Sequence, residues 1–539
     1  MKKVEHQHAK KAGRGIVSKI ILYLIMFFAG SFVLSFLILD PQLRRYLSLA
    51  IFGLFIYGIW KLYKKIKGSN NSLISKLSPS INQKSQEEAL NLEINGKVNL
   101  PNPYAGIFIS GGAGAGKSKS IIEPLIFDAG RKGFTGVVYD FKFPELANYV
   151  NTAYKNTAVT PYFINFSDLS RSHRINPIAP ELMINDSFAR EFAFSILANL
   201  NPTMISKPDF WSENATALLA SVFWYLRKRH PEHCTLPHAM SMILQPNLEK
   251  LLNTLDKEQK CADMIAPIMT AYANKADNQL AGVISSLQIS LSKINTEEVY
   301  YLTTKSDFSL DLNGLNSKGM LVIGNTPALA STYSPIIGLI LTSISKILNQ
   351  QGKVKSVFMI DEFPTVYVPN VEQLPATARS NKVATILACQ DIAQMVDKYG
   401  KEKADTILSN LGNQFYGRTT NPQTAQRVSQ IFGKADKLIK TESKQYDHSL
   451  IGDLRKGSGE SYSYQERDLV KVQDVAMLPT GSFYTILSEG EHRQGLASIP
   501  MNTNFVKTEI QPFKQVSPID LENAFYKVKR DIESILIPL

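Results

Sequence analysis

Between Ile109 and Leu125 the sequence reads ISGGAGAGKSKSIIEPL, and Gly111, Gly116, Lys117 and Ser118 stand at the G-x-x-x-x-G-K-[ST] spacing. Each residue type has a mechanical use. Small residues let backbone N–H groups turn inward around phosphate oxygens, so Gly111, Gly112, Ala113, Gly114, Ala115 and Gly116 form a candidate cradle. Lys117 reaches the β- and γ-phosphates, and Ser118 offers a hydroxyl to Mg²⁺. The helix that follows turns the positive end of its dipole toward the same anion. A triphosphate site also needs carboxylates, and VFMIDEFP delivers Asp361 and Glu362 at the end of an apolar run. Asp361 suits the Mg²⁺ shell and Glu362 suits polarising an attacking water. The expected cofactors are therefore ATP and Mg²⁺, with Ser118 and Asp361 as the metal-binding pair.

These groups need a scaffold that delivers them from strand ends. AGIFIS (Ala105 to Ser110) is an apolar run ending at the glycines, and GVVY (Gly136 to Tyr139) is a second strand candidate ending at Asp140. Strand, loop, helix and strand make a βαβ unit. Pro124 falls in the helix after the loop, where it either kinks the helix or occupies its first turns. From about Asn176 to Leu302 the period changes, and ATALLASVFWYLRKRH and NLEKLLNTL repeat apolar residues three and four apart. Strand-like runs return at GMLVIGN, SVFMI, VATILAC and QFYGRT, with SPIIGLILTSISKIL as an intervening helix. The expectation is an α/β fold whose parallel sheet is interrupted by an all-helical insertion, with the phosphate loop and the Asp361–Glu362 pair meeting on neighbouring strands. There is no internal repeat.

The chain has 539 residues and a formal charge of +12, and the location of that charge decides its meaning. Residues 1–67 carry 12 Lys/Arg against Glu5 and Asp40, leaving the remainder at only +2. No global electrostatic footprint for nucleic acid exists in the rest. Ile16 to Leu39 holds Lys19 as its only charge and is long enough to cross a bilayer core needing about 20 apolar residues. A second run, Tyr46 to about Tyr63, completes a hairpin with interfacial aromatic and lysine ends. Basic residues flank both outer ends, so both termini are expected in the cytoplasm. The first run is too long for a signal peptide and lacks a small-residue cleavage site. Cys234, Cys261 and Cys389 are far apart, which suggests neither a disulfide frame nor a cysteine zinc site.

Taken together, the hairpin, GGAGAGKS, the helical insertion, IDEFP and LPATARSNKVATILACQ (Leu374 to Gln390) resemble the conjugative coupling proteins of type IV secretion, the TraG/TraD-type membrane ATPases. NLGNQFYGRTTNPQTAQRVSQIFG and QERDLVKVQDVAMLPTGSFYTI extend the resemblance to about Pro500. The resemblance implies a RecA-like P-loop nucleotide-binding domain with an inserted all-α domain and an N-terminal two-helix transmembrane anchor. It divides the chain into a transmembrane hairpin (1–67), a linker (68–100), a first motor part (101–178), the all-α insertion (179–303), a second motor part (304–501) and a C-terminal tail (502–539). It further implies a homohexamer at the bacterial inner membrane that recruits and pumps single-stranded DNA, with its relaxase, toward type IV secretion channel proteins. Arg379 stands where the family places an arginine that reaches into the neighbour's site, and Gln390 where it places a γ-phosphate sensor. A solvated helix arginine and a polar strand end are the plain alternatives for these two. Arg418 is a second arginine candidate.

Two departures stand out. After the second strand the family reads Asp-Pro-Lys-Gly-Glu, whereas here DFKFPE keeps Asp140, Lys142 and Glu145 around different spacing residues. The turn between the spans is only about six residues, so contacts beyond the membrane must be slight. Alternative functions are an FtsK-like duplex DNA translocase, against which the short stretch after the motor argues, and a membrane receptor that binds nucleotide without pumping.

Overall fold

Apolar residues follow one another in the strand-like runs instead of alternating with polar ones, as a sheet covered on both faces requires. The computed structural model describes residues 88–98, 102–447, 455–489, 493–501 and 503–536, so the expected membrane hairpin lies outside the described residues. Nine strands form one sheet. Numbered along the chain they are β1 (Ile107–Ser110), β2 (Thr135–Asp140), β3 (Thr160–Ile164), β4 (Gly319–Gly324), β5 (Ser356–Ile360), β6 (Val383–Cys389), β7 (Asn413–Tyr416), β8 (Ser482–Ile486) and β9 (Gln494–Ser498). Their spatial order is β9-β8-β7-β1-β6-β5-β2-β4-β3. The seven strands from β7 to β3 are parallel, and β8 and β9 add an antiparallel edge.

The two-residue strand period sends alternate side chains into two separate cores. Phe108, Val137, Tyr139, Leu321, Ile323, Phe358, Ile360 and Leu387 enter one. Ile107, Ile109, Val138, Met320, Val322, Val357, Met359 and Ile386 enter the other. The second core is closed by α1 (Glu123–Arg131) and α2 (Glu145–Tyr154), the helices of the first two crossovers. The first core is continuous with the helices between β3 and β4, among them α3 (Asp186–Leu200), α4 (Phe210–Arg229), α5 (Leu236–Leu244) and α6 (Glu297–Thr303). Capping fixes where these helices begin: the Asn185 side chain accepts from Ser187 N at 3.1 Å, and Asp209 with Ser212 forms a capping box.

α7 (Ala330–Leu348) runs through that core, its middle buried against α3 and the sheet. Pro327–Leu348 is the one described helical stretch apolar and long enough to cross a membrane, and 67% of its apolar window is buried inside the protein. It is a core helix.

The expectation that the phosphate loop and the carboxylate pair sit on neighbouring strands is wrong by one strand. β6 lies between β1 and β5, pairing in parallel with both. The crossover after β5 returns to the middle of the sheet, which the sequence order of motifs does not reveal. Its consequence is that the residue after β6, Gln390, stands between the loop and the pair.

Two elements lie outside the parallel sheet: a hairpin that no apolar alternation marks, and a tail whose amphipathic segment LENAFYKVKRDIESIL reads as a helix of no legible function. A long antiparallel hairpin, Lys434–Asp447 paired with Arg455–Asp468, follows β7, and Leu438, Tyr462 and Tyr464 on it are exposed. The tail crosses from one core to the other: Phe505 stacks on Phe127 of α1 at 4.0 Å, Ile510 is buried, and α8 (Pro518–Ile535) packs on α5 and α6.

Candidate nucleotide site

The parallel strands all end at the same edge of the sheet, where ligands of such folds bind. β1 ends at Ser110, and the loop from Gly111 to Gly116 turns back over the sheet before the helix begins at Lys117. Gly114 and Gly116 have φ of 73° and 98°, a region in which a Cβ is strained, and a Cβ on Gly116 would also come within 3.0 Å of Gly481 N. The loop is anchored from three sides. Gly111 N donates to Cys389 O at 3.3 Å, Gly112 N to Arg418 O at 2.7 Å, and Gly481 N to Ala115 O at 3.1 Å. The Thr480 hydroxyl donates to Gly114 O at 2.9 Å. Lys117 Nζ folds over the loop and donates to Gly111 O.

The helix after the loop starts as a wide π turn, Lys117–Ile122, and continues as α1 with Pro124 in its first turn. Pro124 does not kink a completed helix. The wide turn comes just before it, where a proline can donate no N–H to the preceding turn. The leading N–H groups of the helix have no intrahelical acceptor and face the loop. With the left-handed glycines they make an anion cradle.

Opposite the loop, Asp361 and Glu362 follow β5. Asp361 N extends the ladder by donating to Tyr139 O at 3.3 Å. Glu362 is buried and accepts from Gln390 N at 3.1 Å, across the junction of β5 and β6. The Gln390 side-chain amide bears on the same carboxylate. Burial raises the pKa of Glu362, while Lys117, Gln390 and Lys142 pull it back. Asp361 is pushed up to about 6, first by burial and then by the adjoining Glu362 charge, and Lys117 and Lys142 oppose that rise. Two adjacent carboxylates held in a desolvated corner are unstable as bare anions and suited to a cation. The residues present therefore fit Mg²⁺ with a polyphosphate: Ser118 and Asp361 on the metal side, and Lys117 with the glycine loop on the anion side.

Asp140 sits at the end of β2 on the same edge but does another job. Its Oδ2 accepts from Leu146 N at 2.9 Å and Ala147 N at 3.0 Å, so it caps α2 across the DFKFPE turn. Its Oδ1 is buried without a hydrogen-bond partner. Burial first, and then the charges of Asp361 and Glu145, raise its pKa to about 7 against the two backbone donors. Lys142, by contrast, places its charge beside Asp361 and Glu362.

The two arginine candidates separate cleanly. Arg418 follows β7, and its guanidinium lies 3.5 Å from Ala113 O of its own loop. Arg379 precedes β6 and so lies at the opposite edge of the sheet from Gln390. It is 62% exposed and held by Glu489 at 3.6 Å. Thr480 and Gly481, which close over the loop from the turn before β8, escape a reading by residue type. Their only signal is the Pro479-Thr480-Gly481 turn itself.

Residues 68–492 match the family described as Type IV secretory system Conjugative DNA transfer. No match to a curated protein was found. Among solved structures, the bacterial conjugative coupling protein TrwBdeltaN70 in its unbound monoclinic form aligns with a TM-score of 0.59 and 16% identity, over 81% of this chain and 93% of that one. The plasmid coupling protein TrwB in complex with ADP and Mg²⁺ gives 0.59 and 16%, over 81% and 94%. TrwB with the non-hydrolysable ATP analogue ADPNP gives 0.56 and 14%, over the same 81% and 94%. At these identities the likeness speaks to the fold, an α/β domain with a mostly parallel central sheet. The family match spans most of the chain, which belongs to the type IV secretory system conjugative DNA transfer family.

Proposed function

We propose that this protein is a membrane-anchored ATPase that couples single-stranded DNA, with its relaxase, to a type IV secretion channel. The observation that carries the ATPase part is the contact between Glu362 and Gln390 at the same sheet edge as Lys117 and Asp361. Family membership and nucleotide-bound relatives of the same fold support the rest. In this reading Lys117 leaves the Gly111 carbonyl to meet phosphate oxygens, and Ser118 and Asp361 hold the metal. Mg²⁺, when bound, neutralises charge on the phosphate oxygens. Glu362, lifted in basicity by burial, orients a water and takes its proton. Because Gln390 donates to that carboxylate, any movement of the β6 end is felt by the base. Changes at the γ-phosphate position are thereby linked to a strand that crosses the whole sheet.

A homohexamer with Arg379 supplied in trans follows from the same reading. Arg379 is too far along β6 to serve its own loop, and its exposed pair with Glu489 is worth only about 0–1 kcal/mol, so a neighbour's phosphate can displace it. The experiment is ATP turnover by the purified full chain in detergent, with and without single-stranded DNA. The expected result is turnover that rises several-fold with single-stranded DNA and less with duplex. Stimulation by duplex alone would favour the translocase of double-stranded DNA, and no response to either would remove DNA pumping from the proposal.

A further inference from the structure

A second constellation of ligand-type side chains lies far from the nucleotide site in sequence and joins two parts of the chain that the motor chemistry does not use. His233 ends the turn between α4 and α5, His238 lies in the first turn of α5, and Asp531 comes from α8. Asp531 Oδ2 is 3.3 Å from His238 Nε2 and 3.8 Å from His233 Nδ1. All three residues offer a ligand atom within 4.8 Å of the others, and among the described residues no other group of three does so.

We propose that His233, His238 and Asp531 bind a divalent transition-metal ion of the zinc type, which staples the C-terminal helix to the helical segment between β3 and β4. The distances favour it. Ligands about 2.0–2.1 Å from a tetrahedral zinc stand about 3.4 Å apart, close to the spacing between Asp531 and each imidazole. The donor set of two imidazoles and one carboxylate suits zinc, and it leaves a fourth position for water. His238 is 6% exposed while His233 and Asp531 are 26% and 23% exposed, so the site has a buried floor and a wet mouth.

The surrounding groups are arranged as ligand supports. Thr235 Oγ1 lies 2.6 Å from His238 Nδ1, fixing the ring so that Nε2 faces Asp531. Glu232 Oε1 lies 3.7 Å from His233 Nε2, on the side away from Asp531. A hydrogen-bonding oxygen on the far ring nitrogen, as Thr235 supplies to His238, is the usual companion of a metal-bound histidine, whereas Glu232 adds only a nearby negative charge. Thr235 is held in turn as the cap of α5, where its hydroxyl accepts from His238 N at 3.5 Å. Lys527, one turn earlier on α8, and His233 bring positive charge toward His238, and Asp531 opposes it. The metal would make docking of α8 depend on an ion as well as on apolar contacts such as Tyr300 against Phe525.

The test uses the tag-free full chain in detergent, stripped with chelator and titrated with Co²⁺ in the absence of nucleotide. Saturation at one equivalent should give the intense visible absorption of four-coordinate Co²⁺, and Zn²⁺ should displace it. A six-coordinate ion at Ser118 and Asp361 absorbs only weakly, so the two sites are distinguishable. H238A and the nearly isosteric D531N should each lose at least about tenfold in Co²⁺ affinity. Zn²⁺ should also slow proteolytic release of α8 in the parent chain and leave D531N unchanged. Absence of saturable uptake, or equal affinity in the parent chain and D531N, would overturn the proposal.

Discussion

The two edges of the central sheet hold their charged groups in opposite ways. At the carboxyl edge, Asp140 and Glu362 are buried and tied to backbone N–H groups at 2.9–3.1 Å, and Asp361 joins them in the same desolvated corner. At the amino edge, Arg379 and Glu489 are 62% and 45% exposed and stand 3.6 Å apart. β6 links the two edges, and its seven residues from Val383 to Cys389 span about 23 Å. A group meant to act on its own loop has to be preorganised in a dry site, because the cost of ordering it is met in folding. A group meant for another subunit has to remain separable. The difference between the edges is what the proposed sharing of a site between neighbouring subunits would require.

The largest expected effect breaks the tight edge. Glu362→Gln keeps an oxygen to accept the Gln390 N–H but loses the base, so turnover should fall by about 10²- to 10⁴-fold while nucleotide affinity changes little. Steady-state hydrolysis with a fluorescent nucleotide titration checks both. Retained turnover would remove Glu362 from catalysis, and DNA transfer that persists in a hydrolysis-dead variant would favour the receptor reading over pumping.

The loose edge is probed by mixing. Arg379→Ala alone should lower turnover by about 10³-fold if it stabilises transition-state charge in a neighbour. Lys117→Ala subunits carry the arginine and lack the loop lysine, so equal mixing should restore up to about a quarter of the sites, those in which an intact loop meets an intact arginine. Turnover of the mixture, measured against each variant alone, decides the point. No recovery would return Arg379 to the status of a surface residue paired with Glu489.

The legibility of the site in the sequence follows the same divide. Gly111 to Ser118 could be read because the chemistry is contiguous and each residue type is restricted by φ or by charge. Asp361 and Glu362 could be read because an apolar run pointed at them. Their separation by β6 could not, since strand order is set by crossovers. Thr480 and Gly481 act through a hydroxyl and a backbone N–H, which many residues supply. Periodicity made α4 readable through ATALLASVFWYLRKRH, whereas the hairpin strands Lys434–Asp447 and Arg455–Asp468 lack a clear apolar alternation to mark them. Single aromatic residues such as Phe505 dock the tail, and no period marks them.

The smallest effect sharpens the account of the tight edge by its response to pH. Asp140 has a folded pKa of about 7 against an unfolded value of about 3.9, so the native chain binds the extra proton between those values. Stability then falls as pH rises through that window and levels off above it, by at most about 1.4 kcal/mol per pH unit. Asp140→Asn keeps an oxygen for the Leu146 and Ala147 donors, replaces the unpartnered Oδ1 with an amide, and cannot ionise. Its melting temperature relative to the parent chain should therefore rise between pH 5 and pH 8, by a few degrees over the window (about 2–4 °C per kcal/mol for domains of 150–250 residues, and less for longer ones). Scanning calorimetry without nucleotide or Mg²⁺ measures this, and because Asp361 titrates in both proteins the difference isolates Asp140. A flat difference across that range would mean that the two backbone donors already hold Asp140 ionised, and that the carboxyl edge bears its burial cost on Asp361 and Glu362 alone.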